Sequence, residues 1–123
     1  MSQTQVYTPS QVRSAWLKLS KLVDEVHALL TTIEQRNDLL SKVIADNLKL
    51  SLEELDVVSC LLWMLSEYTA IKGVTKAVHR YLFRVRNEVD SSCDALERID
   101  AIVNTTLTSS CREVVKHLDE VLK

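Results

Sequence analysis

Apolar residues recur along the first third of the chain at Val12, Trp16, Leu19, Val23, Val26, Leu30 and Ile33. The steps alternate between four and three residues, the period of a helix that turns one seam toward its neighbours. Leu22 and Leu29 widen the seam, which suits a bundle helix better than a two-stranded coiled coil. Thr8-Pro9-Ser10-Gln11 marks its start: Thr8 can cap, Pro9 suits the first helical position, and Gln11 completes a capping box. The seam continues through Asn37, Leu40 and Ile44. Gln35-Arg36-Asn37-Asp38 is the place for a kink or a short turn, so residues 9–48 form one helix or two.

A different pattern follows. Lys49-Leu50-Ser51 reads as a connection, and Ser51-Leu52-Glu53-Glu54 as a second capping box. The next helix, to about Ile71, is apolar nearly all round. Val57, Val58, Cys60, Leu61, Leu62, Trp63, Met64 and Leu65 leave no wide polar stripe, which predicts a central helix covered by its neighbours. The apolar run is too short for a bilayer, which needs about 20 residues. Gly73 is placed to end this helix. From about Val74 the spacing becomes amphipathic, with Val78, Leu82, Val85 and Val89 on one side and Lys72, Lys76, Arg80 and Arg84 along another. Asp90-Ser91-Ser92 lies within this helix or restarts it, and the apolar positions carry on through Leu96, Ile99 and Val103. Residues 105–110 are rich in hydroxyls and read as a junction. Ser110-Cys111-Arg112-Glu113 offers a third capping box before a last amphipathic helix carrying Val114, Val115, Leu118, Val121 and Leu122.

The expectation is an all-α, single-domain helical bundle of four to six helices over residues 9–123, after a polar, disordered N-terminus of residues 1–8. One glycine and one proline in 123 residues leave little room for anything but helix. The net charge of −2 confines electrostatic binding to local patches. Residues 69–86 hold five basic side chains and no acidic one. The row Lys72, Lys76, Arg80, Arg84 is either a strip for an acidic ligand or a solvated face paired with acids such as Glu88. Direct nucleic-acid binding is disfavoured, because no aromatic platform accompanies the row. Phe83 falls at the margin of the core or outside it, whereas Trp16 and Trp63 read as core.

Three cysteines, Cys60, Cys93 and Cys111, with wide spacing and no CxxC, argue against a disulfide framework or a zinc site. They point to a reducing, intracellular compartment. No signal peptide precedes Asn104-Thr105-Thr106, so that sequon is read as chance. His27, His79 and His117 are scattered, and neither a glycine-rich loop nor a nucleophile signature is present. No enzyme, cofactor or metal is expected.

Leu48-Lys49-Leu50, Leu55-Asp56-Val57, Cys60, Leu61 and Leu65, with Phe83-Arg84-Val85 and Val89 further on, resemble the integrase-binding domain of the lens epithelium-derived growth factor family. That domain is related to the TFIIS N-terminal domain, and the resemblance covers roughly residues 38–104. It implies a compact right-handed bundle that docks short, disordered, acidic peptide motifs carrying a phenylalanine, in a chromatin- or transcription-associated, nuclear setting. The pocket it implies lies between two inter-helix loops: Lys49, Leu50 and Ser51 in the first, and Phe83, Arg84, Val85 and Arg86 in the second. Ser51 stands where the family has a functional aspartate. Beside this peptide-docking reading stands a structural one, in which the seam from Val12 to Ile44 mediates a homodimer or a larger helical assembly, with Asn37 setting the register.

Overall fold

The computed structural model describes residues 9–73 and 75–123. They form four helices: α1 (Pro9–Glu34), α2 (Leu39–Lys72), α3 (Lys76–Val103) and α4 (Leu107–Leu122). The expectations for residues 1–8, the Thr8 cap among them, and for Val74 lie outside the described residues. The helices close into a ring in which α1 packs on α2 and α4, and α3 packs on α2 and α4. Cross-links run like rungs. Arg13 meets Glu67 at 3.3 Å, His27 lies 4.0 Å from Asp56, and Glu34 meets Lys49 at 3.6 Å. The α2 partner number falls as the α1 number rises, so the two helices are antiparallel. Arg86–Asp119 (2.8 Å) and Arg112–Glu97 (3.2 Å) show the same for α3 and α4. Exposed pairs of this kind add little stability, at most about 1 kcal/mol each; their value is in the register they report.

The α1 seam is used up inside this ring. Val12, Leu19, Val23, Val26, Leu30 and Ile33 are all buried, as is Ile44 on α2, and Trp16 packs against them. Residues 35–38 do break the chain. Asp38 caps α2, its carboxylate accepting from the Ser41 hydroxyl at 2.7 Å and the Ser41 N–H at 3.0 Å. These bonds hold the Asp38 carboxyl below its ordinary range. Residues 49–51, by contrast, are no connection. Leu48, Ser51, Leu52 and Leu55 all face the core, and this packing carries α2 straight through the expected capping box. A cap is read only where the preceding residue leaves the helix.

Gly73 ends α2 as expected. Its N–H donates to the Thr69 carbonyl at 3.0 Å, and its φ of 72° with ψ of −170° is a combination that only glycine adopts without strain. Thr75 then caps α3 by accepting from the Val78 N–H. Residues 90–92 lie inside α3, which runs unbroken to Val103.

The start of α4 corrects the reading of Ser110 as its cap. The helix begins at Leu107, and the capping carboxylate comes from α3: Asp100 accepts from the N–H groups of Leu107 (3.1 Å) and Thr108 (2.8 Å) and from the Thr105 hydroxyl. Partial burial of Asp100 disfavours its charge, but these bonds outweigh that effect and lower its pKa. Asn104, in the left-handed conformation at φ 55°, makes the turn between α3 and Asp100's targets.

The cysteines supply a second correction. Cys93 on α3 and Cys111 on α4 are buried and joined in a disulfide, with Cα atoms 5.5 Å apart. Their spacing follows the register of the α3–α4 rungs, which sequence separation alone does not reveal. Cys60 is free and exposed. The pairing removes the basis on which cysteine usage pointed to a reducing compartment.

Two outcomes test these local constraints. Asp100→Ala should cost about 1 kcal/mol of stability at neutral pH. Because the folded pKa of Asp100 is depressed, its contribution is present above the ordinary aspartate value, about 3.9, and is lost as pH falls through the folded value. Denaturant titrations of wild type and variant should therefore converge in acid. Reducing the disulfide, whose cysteines are 18 residues apart, should cost about 3 kcal/mol in the same assay. The loss is softened by the Val89 carbonyl, 3.4 Å from Cys111 Sγ, which can accept from the freed thiol.

Candidate functional site: the outer face of α2

The expectation that α2 sits at the centre, covered on all sides, does not hold. In a ring of four helices each member is covered by two neighbours and keeps an outer side. Val58, Leu62 and Leu65 turn inward, while Val57 and Met64 are 67% and 59% exposed, and Trp63 is half-exposed rather than core. The outward residues are ordered. Leu50, Val57, Met64, Tyr68 and Ile71 are all exposed, and half-buried Leu61 lies among them. With Glu54 filling one place, the positions 50, 54, 57, 61, 64, 68 and 71 step by four and three in strict alternation. This is a second heptad seam on the same helix, pointing away from the first. From Leu50 to Ile71 it runs roughly 32 Å at 1.5 Å per residue.

The seam borders a cleft of about 460 Å³ between α2 and α3. Val57, Val58 and Leu61 on α2 and Tyr81 and Val85 on α3 make its walls, with Glu53, Glu54, Arg84 and Glu88 as charged margins. A second cleft of about 440 Å³ lies on α3, where Phe83, 54% exposed, sits with Ala77, Arg80, Tyr81, Arg84 and Asn87. Phe83 is thus outside the core, as expected.

The pocket implied by the resemblance does not assemble here. Lys49, Leu50 and Ser51 lie mid-way along α2, and Phe83, Arg84, Val85 and Arg86 lie within α3, so neither group forms an inter-helix loop. Ser51 and Val85 are buried, and Lys49 pairs with Glu34. Arg86 is bound to Asp119 through Nε at 2.8 Å and lies 3.6 Å from Asp90. The hydrogen bond to Asp119 raises the Arg86 pKa despite partial burial. Leu50 and Phe83 remain exposed, but Phe83 lines the α3 cleft and Leu50 lines neither of these two clefts. The reading of the Val12-to-Ile44 seam as an assembly surface also fails, because that seam is the intramolecular core.

The basic row behaves differently from Arg86. Among the described residues, Lys72, Lys76, Arg80 and Arg84 enter no ion pair within 4.0 Å, and neither do Asp46, Glu53, Glu54 and Glu88. Of the two alternatives for the row, pairing with acids such as Glu88 is therefore not made among the described residues. Asp46, Glu53 and Glu54 lie in the first half of α2, Lys72, Lys76 and Arg80 around the α2–α3 turn, and Arg84 and Glu88 further along α3 on the cleft with Glu53 and Glu54. Among the described residues no three histidine, cysteine or acidic side chains cluster as metal ligands. No helix of the described residues is long and apolar enough to cross a membrane.

The outer seam was readable in the spacing of residues 50–71, but it was masked by the inward-facing apolar residues interleaved with it. No family model, curated protein or solved structure matches the chain.

An outer seam with no structural duty has a measurable signature. Met64→Glu and Tyr68→Glu should each change stability by less than about 0.5 kcal/mol, whereas Leu62→Ala, two residues from Met64 but fully buried, should cost about 2–5 kcal/mol. Thermal unfolding of the three variants, followed by circular dichroism, makes the comparison.

Proposed function

We propose that this chain is a non-catalytic protein-interaction bundle whose outer α2 face, with the adjoining α3 cleft, docks a helical segment of a protein partner. The carrying observation is the exposed heptad seam from Leu50 to Ile71. Heptad-spaced apolar side chains facing water are what one helix presents to another. Scattered surface apolar residues need no explanation, but a continuous row of them marks an interaction site. The carboxylates of lowered pKa support the non-catalytic reading, since Asp38 and Asp100 are both occupied in capping helices.

A second reading is favoured by one observation. Phe83 is exposed beside Arg80 and Arg84, an arrangement suited to an acidic peptide that carries a phenylalanine. It resembles the peptide-docking role that the sequence suggests, moved from a loop pocket to a helix face.

Amide-shift titrations separate the two. The probe for the first is a designed amphipathic helix with leucine at its a and d positions; for the second it is an unstructured acidic peptide with one phenylalanine. The helix should shift signals of Val57, Leu61, Met64, Tyr68 and Tyr81, with the shifts abolished in Met64→Glu. Shifts confined to Arg80, Phe83 and Arg84 with the acidic peptide, and none on α2 with the helix, would transfer the site to α3. Silence with both at about millimolar concentration, where even −4 kcal/mol of binding is visible, would overturn both readings.

A further inference from the structure

We infer that the helix docking on the outer face of α2 is α2 of a second copy of this chain, lying antiparallel across a two-fold axis. This rests on the reading of that face as a helix-docking surface and names its occupant. A two-fold interface brings one patch against itself, so the patch must be self-complementary in shape and in charge. The outer seam is both.

Its shape repeats about its own midpoint. Between Leu50 and Ile71, Leu61 lies near the middle, with Val57 and Leu50 in one direction and Met64 and Ile71 in the other; exposed Val43 and Leu40 continue the row beyond Leu50. Reversal about a point beside Leu61 sets Val57 of one copy against Met64 of the second, and Leu50 against Ile71. Apolar residues therefore meet at these positions, and Glu54 of one copy comes beside Tyr68 of the other.

Its charges divide at the same point. Glu53 flanks the first half of the seam and Glu54 sits in it, and Glu88 joins them across the cleft because α3 returns antiparallel to α2; with Arg84 on the same cleft, this half still carries a net negative charge. Lys72 ends α2, while Lys76 and Arg80 open α3 beside the second half. None of these seven charges is paired within the fold among the described residues. A half-turn lays the acids of one copy over the bases of the other. A parallel arrangement would oppose like charges, and a polyanion or anionic surface would meet three carboxylates. The extent is also adequate. Two helices about 10 Å wide over roughly 32 Å present on the order of 650 Å² per copy, close to the ~800 Å² of a standard interface.

Sedimentation equilibrium of the full chain is the test. The mass should rise from 14.0 kDa toward twice that value as concentration increases, over about 1–100 µM. Glu54→Lys with Glu88→Lys should weaken association about tenfold, and Lys76→Glu with Arg80→Glu should do the same. Combining all four should restore it to within about threefold of wild type, because the swapped charges again face their opposites. At concentrations where the chain is monomeric, melting temperatures should stay level throughout, since the residues are exposed. Cys60, exposed and one residue from the axis, gives an independent readout: a short bis-maleimide should link two copies through it, and not in Cys60→Ser. A mass fixed at 14.0 kDa overturns the dimer. A fourfold variant as weak as the two doubles overturns the antiparallel orientation. If the mass stays fixed while the designed helix still shifts α2 signals, the dimer alone falls; if both fail, the docking reading falls with it.

Discussion

A helix in a four-membered ring turns only part of its circumference inward, and this constraint governs the molecule. The inner stripes of α1, α3 and α4 come close to that allowance: each carries one apolar seam and a mostly polar remainder, with Leu17, Tyr81, Phe83 and Ile102 the large apolar side chains left exposed on it. α2 exceeds it. Its inward residues, such as Leu48, Leu55 and Leu62, complete the core at essentially no exposure. The residues between them have nowhere within the chain to go. A centrally buried helix needs more than three neighbours to surround it, and one chain with four helices cannot supply them. The exposed seam is thus the geometric remainder of closing the ring.

The electrostatics follow the same division. Charges on the α1–α2 and α3–α4 flanks are spent on rungs between antiparallel neighbours, among them Arg13–Glu67 and Arg86–Asp119. Charges around the α2–α3 cleft are not spent. Arg86 and Arg84 make the point locally. Two residues apart on α3, they face different sides, and only Arg86 finds carboxylates within the bundle.

Much of the fold was legible in the spacing of apolar residues. The α1 seam, the stop at Gly73 and the burial of Val78, Leu82, Val85 and Val89 all follow from period and turn chemistry, while the place of the break at residues 35–38, but not whether the helix breaks there, could be read. The failures have one kind of cause. Ser51 and Ser110 look like caps because capping chemistry is local, but Ser51 is held inside α2 by its buried neighbours, and α4 takes its cap from Asp100 on another helix. Cys93 and Cys111 meet because of the α3–α4 register, which no spacing rule states. Trp63 and Met64 looked like core because apolarity shows only that a side chain wants cover, not whether the chain provides it. The candidate site was hidden for that reason: two seams on one helix sum to a pattern that looks like burial.

The disulfide has a consequence for the order in which the ring closes. The α1–α2 and α3–α4 pairs are hairpins built from neighbours in sequence, whereas contact between α1 and α4 joins the first helix to the last. Loop-closure entropy makes that last contact the slow one to find. The Cys93–Cys111 bond bypasses most of the 18 residues between its ends, so the covalent path from α1 to the part of α4 beyond Cys111 is shorter by that much. Loop-closure cost grows only slowly with length, so the search for the α1–α4 contact is eased only slightly. In kinetic terms the bond is chiefly a brake on the separation of α3 from α4.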